Sequence, residues 1–220
     1  MRYIAPSILS ADFLHLEKDI ELVNEYADII HVDVMDGSFV PNISFGFPVA
    51  EAVARIARKP MDVHLMIVHP EKYVARFVKA GASMVSFHLE AVEAEGNDPA
   101  AILDEIRGLG ARPGLVINPD IEVSRLFPYL DKVDYVLLMS VFAGFGGQKF
   151  IEETYERVRT LRAEAERRGL DLLIEVDGGV SVQNADALAE AGVNILVAGS
   201  AVFKAVDPAS VIAGMRGQSM

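Results

Sequence analysis

The chain has 220 residues, of which 51% are hydrophobic, and a formal charge of −12, which allows a sizeable core within the length of one large domain or two small ones. The acidic balance excludes a sequence-independent grip on nucleic acid or on anionic lipid, which needs a basic face, but not a small anion held by backbone amides. The absence of cysteine excludes disulfides and thiolate ligands and suits a reducing compartment, so a cytoplasmic location is expected.

At the N-terminus, MRYIAPSILS has only a short apolar stretch and no small-residue cleavage pattern, so no signal peptide is expected. YIAPSI (3–8) reads as a first strand and FLHLEKDIELVNEY (13–26) as an amphipathic helix. IIHVDV (29–34) and MDVHLM (61–66) are the next strands, with VAEAVARIAR (49–58) helical between them. PEKYVARFVKA (70–80) is helical, MVSFH (84–88) a strand, PAAILDEIRGL (99–109) helical and RPGLVI (112–117) a strand. EVSRLFPYL (122–130) has helical spacing, and YVLLMS (135–140) is the sixth strand. EETYERVRTLRAEAERRG (152–169) and NADALAEAG (184–192) are helices around the strand LLIEVD (172–177). NILVAG (194–199) is the eighth strand, followed by a helix at ASVIAGMR (209–216) and a tail, GQSM, expected to fray. Gly81, Gly108, Gly169 and Gly192 stand near helix ends, where a left-handed cap favours glycine. No apolar run approaches the length of a membrane span.

Eight alternations of strand and helix with no composition break predict an α/β fold, a (β/α)8 TIM barrel in a single domain over residues 1–220. An open, doubly wound sheet is the alternative. The first βα loop, SILSADF, lacks the GxGxxG fingerprint of an open dinucleotide-binding sheet.

Side chains alternate along a strand, so His31, Asp33 and Met35 share one face, Asp62, His64 and Met66 another, and Glu175 goes with Asp177. In a barrel these polar sets face inward near the C-terminal mouth, where the fold places its active sites. Burying so much charge is costly without a cation or hydrogen bonds to compensate. A histidine on a strand is commonly a satisfied core residue. Here two histidines and two carboxylates end separate strands, and this shifts the reading to one divalent metal ion. The nitrogen and oxygen donors suit Zn2+, and Fe2+, Mn2+ and Co2+ fit as well. Met35, Met66 and Met139 also end strands, either filling the core or lining the pocket as a water-excluding floor. Gly144-Phe145-Gly146-Gly147, Gly178-Gly179 and Gly199-Ser200 follow strands six, seven and eight. Glycines there let backbone N–H groups approach a phosphate, so a phosphorylated substrate is favoured. Asp36 with Gly37 reads as turn chemistry, His88 as a structural, hydrogen-bonded residue, and His15 and His69 as surface or loop residues.

APSILSADF, HVDVMDGSFVPNISFG, DVHLMI, SFHLE, GFGGQKF, IEVDGGV and AGSAVF, in this order over nearly the whole chain, resemble the ribulose-phosphate 3-epimerase family. The resemblance implies a metal-dependent isomerase of the pentose phosphate pathway that interconverts D-ribulose 5-phosphate and D-xylulose 5-phosphate. It implies that His31, Asp33, His64 and Asp177 bind the metal and that Asp33 and Asp177 are the acid/base pair. Ser7 and His64 would touch substrate, and Gly144, Phe145, Gly146, Gly147, Gly178, Gly179, Gly199 and Ser200 would hold its phosphate end. It further implies a homo-oligomer. One departure stands out: an acidic or amide residue and then proline usually precede GFGG, and this chain has Phe142-Ala143. Loss of the proline should loosen the loop. Rival readings are a 3-epimerase of another ketose phosphate, such as a hexulose 6-phosphate, and a non-catalytic sugar-phosphate sensor. A decarboxylase of a related barrel would carry an Asp-x-Lys-x-x-Asp pattern, where this chain has DVHLMI.

Overall fold

The computed structural model describes residues 2–218. Among them, eight strands form one sheet: β1 Tyr3–Pro6, β2 Ile30–Met35, β3 Met61–Met66, β4 Met84–His88, β5 Arg112–Ile117, β6 Tyr135–Met139, β7 Leu173–Asp177 and β8 Ile195–Ala198. Every ladder is parallel, in the order β1-β8-β7-β6-β5-β4-β3-β2. The two end strands meet through an isolated parallel bridge between Ser7 and His31. Below it, the N–H groups of Asp28 and Ile29 donate to the Ile4 carbonyl at 3.0 and 3.3 Å. The sheet therefore curls into a nearly closed barrel, as eight βα repeats demand, and not into the open alternative.

Helices α1 Leu16–Tyr26, α2 Phe47–Ala54, α3 Val74–Lys79, α4 Leu89–Ala94, α5 Pro99–Gly108, α6 Thr154–Arg168, α7 Val182–Ala191, α8 Ser200–Phe203 and α9 Pro208–Met215 follow in turn. Val32, Val34, Val63, Leu65, Val136 and Leu138 point out from the strands into the main apolar layer beneath the helices. Each such side chain, fully buried, contributes roughly 1.5–3 kcal/mol. Their inward neighbours fill the barrel, so the layer against the helices is greasy and the lumen is where polar groups collect.

The sequence-based boundaries err in instructive places. The first strand stops at Pro6 because Ser7 caps a 3-10 turn over Ile8–Ser10, its hydroxyl accepting from the Leu9 N–H. Val123–Tyr129 is a 3-10 helix and not an α-helix. It contains Pro128, which lacks the N–H an α-helix interior requires. The segment 70–80 divides into a 3-10 turn, Pro70–Lys72, and α3. Helices α4 and α8 are too short to show a period in the sequence. Gly169 and Gly192 take the left-handed C-cap conformation as expected, whereas Gly108 lies within α5 and Gly110 supplies the positive φ of 88° beyond it. At the tail, the Gly217 and Gln218 N–H groups donate back to α9 carbonyls, and residues 219–220 lie outside the described residues.

Candidate active site

The strand registers assemble the mouth of the barrel. Asp33 of β2 pairs with His64 of β3, Met35 with Met66, and Met139 of β6 with Asp177 of β7. Because β7 and β2 are separated by β8 and β1, Asp177 faces Asp33 across the lumen. The result is one cluster: His31, Asp33, His64 and Asp177 each offer a ligand-type atom, all within 4.8 Å of one another. His31 Nε2 is 3.3 Å from Asp33 Oδ1, and His64 Nδ1 is 3.2 Å from the same oxygen.

The imidazoles are oriented from behind. His31 Nδ1 lies 2.8 Å from Asp62 Oδ2, and the Tyr135 hydroxyl donates to the other Asp62 oxygen at 2.6 Å. Tyr135 fits inside the barrel because its neighbour on β5 is Gly114, where a Cβ would sit 2.3 Å from the ring. With Nδ1 engaged by Asp62, Nε2 is the His31 nitrogen turned to the cluster, and that buried atom has no hydrogen-bond partner among the described residues. Two histidine nitrogens and two carboxylates meeting at such an orphaned atom form a donor set that fits a divalent metal ion. His31, Asp62 and Glu175 also approach one another closely, but all three are fully buried and His31 Nδ1 is already engaged, so they form the support beneath the cluster.

The electrostatics separate the two aspartates. Burial opposes ionisation of both. At Asp33 the His31 charge 3.3 Å away and the hydrogen bond with His64 overcome it and hold the carboxyl well below its ordinary range. The Ser7 hydroxyl also donates to Asp33 Oδ2 at 2.5 Å. At Asp177 burial is reinforced by the Asp33 charge, and the carboxyl is pushed up to about 7. Glu175 is pushed up to about 8 by burial and by Asp62. Burial draws His64 down to about 4, so it is neutral at neutral pH, whereas the Asp33 charge carries His31 up in spite of burial.

Above the cluster opens a cavity of about 430 Å3. Ser7, Asp33 and Asp177 line it, as do Met35, Met66 and Met139, which are at most 5% exposed. The three methionines thus pack the core and form the cavity wall at once. His31 and His64 are fully buried behind this lining, so His64 makes no direct contact with the cavity. Gly144, Phe145, Gly146, Gly147, Gly178, Gly179, Gly199 and Ser200 border its other side. Gly178 cannot be replaced cheaply: its φ is +116°, and a Cβ would lie 2.4 Å from the Val141 side chain.

Sequence reasoning missed Lys204, the one cationic side chain on the cavity lining. It follows α8 at an exposed position with no periodic signal to mark it. Asp36 does serve its turn: its Oδ1 accepts from the Ser38 and Phe39 N–H groups, and Oδ2 from Val68. His88 is fully buried and hydrogen-bonded, as expected of a structural residue. At the departure from the family pattern, the Ala143 N–H, which a proline would lack, donates to Asn118 Oδ1 at 3.0 Å, and Gln148 Nε2 donates to the Phe142 and Phe145 carbonyls. The expected loosening of this loop is therefore countered by one bond the alanine permits and by the two from Gln148.

A nearly closed parallel barrel with buried histidines and carboxyl groups gathered at the C-terminal mouth of a cavity is the architecture of a barrel enzyme for a small molecule. Comparison with known proteins narrows the class. The chain belongs to the ribulose-phosphate 3 epimerase family, whose model matches residues 3–203, and is accordingly an isomerase. It is 50% identical over 216 residues to the ribulose-phosphate 3-epimerase of Synechocystis sp., covering 97% of this chain and 92% of that protein. It is 45% identical to the ribulose-phosphate 3-epimerase of Bacillus subtilis, with 97% and 98% covered. A chloroplastic ribulose-5-phosphate-3-epimerase of Arabidopsis thaliana is 47% identical, with 97% of this chain and 75% of that protein covered. Among solved structures, KGPDC from Streptococcus mutans superposes with a TM-score of 0.73 at 13% identity, covering 99% of this chain and 96% of that one. A 3-hexulose-6-phosphate synthase gives 0.68 at 19%, with 99% of each chain covered. At such identities the likeness is one of fold. No helix among the described residues is long and apolar enough to cross a membrane.

Proposed function

We propose that this chain interconverts D-ribulose 5-phosphate and D-xylulose 5-phosphate by moving a proton on and off carbon 3 through an enediolate. The observation that carries the reading is the pair Asp33 and Asp177, opposed across one cavity with their carboxyl groups pushed in opposite directions. Inversion needs a proton taken from one face of the carbon and another returned to the opposite face. The ionised Asp33 is placed to accept a proton and the protonated Asp177 to deliver one, and in the reverse reaction the roles exchange. Ser7 steadies Asp33 through its short hydrogen bond and lines the cavity beside it.

His31, Asp33, His64 and Asp177 would hold one divalent cation, Zn2+ being favoured by the donor set. When bound, it supplies Lewis-acid stabilisation of the negative charge that develops on the substrate's oxygens. Met35, Met66 and Met139 keep water from the reacting carbon. The glycine-bordered side of the cavity takes the phosphate on backbone N–H groups, and Lys204 adds the one positive charge at that border. In this reading residues 1–220 work as a single barrel domain, in the cytoplasm, as a homo-oligomer and in the pentose phosphate pathway.

The test is solvent deuterium exchange with metal-analysed protein and ribulose 5-phosphate. Deuterium entering at carbon 3 together with formation of xylulose 5-phosphate supports the reading, and product without label overturns the proton-transfer scheme. Relative kcat/KM on pentulose and hexulose phosphates separates this substrate from its larger rival.

A further inference from the structure

Behind His64 runs a chain of hydrogen bonds that the chemistry above does not use. His64 Nε2 lies 2.9 Å from His88 Nε2, and His88 Nδ1 lies 2.9 Å from Glu90 Oε1. The same Glu90 oxygen accepts from Asn118 twice, from its backbone N–H at 3.1 Å and from its Nδ2 at 2.8 Å. Asn118 Oδ1 in turn accepts from the Ala143 N–H at 3.0 Å. The run begins at a residue of the cluster, passes the end of β4 and the start of α4, and finishes on the glycine-rich loop after β6.

Its donor and acceptor roles admit one assignment that leaves His64 Nδ1 free for a cation. A carboxylate oxygen only accepts, so His88 Nδ1 carries the hydrogen. With His64 Nδ1 bare, the hydrogen between the two histidines belongs to His64 Nε2, and His88 Nε2 accepts it. Without the cation, the same Nδ1 faces the ionised Asp33 at 3.2 Å as a hydrogen-bond partner. The Phe39 ring, with its centroid 4.7 Å from that of His88, and the His64 ring, at 5.0 Å, hold the middle imidazole from both sides.

We propose that His88, Glu90 and Asn118 are positioning residues that fix the His64 tautomer, and that the Ala143 N–H extends this relay to the loop at residues 142–149. This rests on the reading of His64 as a cation ligand, since a ligand nitrogen must be unprotonated. Glu90 sets the direction of every hydrogen in the run, and Asn118 is the joint between that oxygen and the loop. The relay matches, on the other histidine, what Asp62 and Tyr135 do for His31. Each imidazole has a carboxylate that selects its free nitrogen, directly for His31 and through a second imidazole for His64.

The experiment joins a spectroscopic readout with metal binding. In 15N-labelled wild-type protein saturated with Zn2+ near neutral pH, the His64 ring should show a protonated Nε2 and a cation-bound Nδ1. Glu90→Gln and Asn118→Ala should mix the His64 tautomers and weaken Zn2+ binding about 10- to 100-fold. Ala143→Pro, which deletes the outermost donor and restricts the backbone around it, should weaken Zn2+ binding less. Glu90→Asp should restore part of the tautomer preference lost in Glu90→Gln. A protonated Nδ1 in the Zn2+-saturated wild type overturns the relay whether or not any variant folds. Unchanged tautomer and Zn2+ affinity in both Glu90→Gln and Asn118→Ala overturn it too. His64→Ala separates the two readings: wild-type Zn2+ affinity there removes His64 as a ligand, whereas weakened binding there with unaltered Glu90→Gln and Asn118→Ala removes the relay alone.

Discussion

Asp33 and Asp177 reach within 4.8 Å of each other from strands two positions removed from adjacency, and the barrel drives their carboxyl groups in opposite directions. Asp33 is surrounded by donors: His31 and His64 near Oδ1, and the Ser7 hydroxyl on Oδ2. Asp177 has burial and a negative neighbour, which keep its proton on up to about pH 7. Two carboxyl groups this close, sharing one proton, titrate as a pair, and the shared proton is what a two-face reaction at carbon needs.

Asp177→Asn should therefore cut kcat by about 1,000-fold or more, since an amide neither delivers nor accepts the proton. Its fold should survive, because the substitution removes a buried carboxyl that is costly to ionise. Steady-state turnover beside thermal unfolding checks both halves. Wild-type-like turnover with an intact fold would end the two-carboxylate scheme.

Removal of divalent metal should abolish turnover, and its return should restore it. Proton release fixes the pH dependence of that binding. In the metal-free protein Asp177 holds a proton up to about pH 7 and His31 holds one well above its ordinary range. His31 must lose its proton to bind a cation, and Asp177 binds one more tightly when ionised. Affinity should therefore fall as pH drops through about 7, and calorimetry in buffers of different ionisation enthalpy should register the released protons. Affinity that stays flat from about pH 6 to about pH 8 would contradict the ligand set.

The cluster residues were legible in the sequence because strand periodicity is strict: alternation puts His31 with Asp33, and strand ends in a barrel converge. The supports were harder to read. Tyr135 engages Asp62 only because Gly114 vacates the space for its ring, a relation between two strands that neither sequence segment states. Asn118 lies just past the end of β5 and meets Glu90 through a contact distant in sequence. Val123–Tyr129 has the apolar spacing of an α-helix but winds as 3-10, since hydrophobic period alone does not tell one helical pitch from the other over a single short segment.

Lys204 faces the glycine-bordered side of the cavity and forms no ion pair among the described residues. Its charge is exposed, so its attraction for a phosphate is screened and modest. Lys204→Gln should raise KM about tenfold, equivalent to ~1.4 kcal/mol, and leave kcat nearly unchanged. The wild type should lose affinity with added salt more steeply than the variant. An unchanged KM would remove Lys204 from phosphate recognition.

The loop at residues 142–149 should close on substrate. Its glycines at 144 and 147 have φ of +125° and +75°, and Phe142 and Phe145 are 51% and 53% exposed, Phe145 on the cavity lining. A large apolar ring left half in water beside a ligand site gains by folding over the ligand, and covering the site excludes water from a carbanion-like intermediate. The anchors for such a motion sit at the start of the loop: Asn42 Nδ2 holds the Gly144 carbonyl at 2.9 Å, and Asn118 holds Ala143. Amide hydrogen exchange across residues 142–149 should slow about tenfold or more when a non-reactive ketose-phosphate analogue binds, while exchange in α6 stays constant. Exchange in the loop that ignored the analogue would mean that this segment is a fixed wall, and the exclusion of water would then rest on Met35, Met66 and Met139 alone.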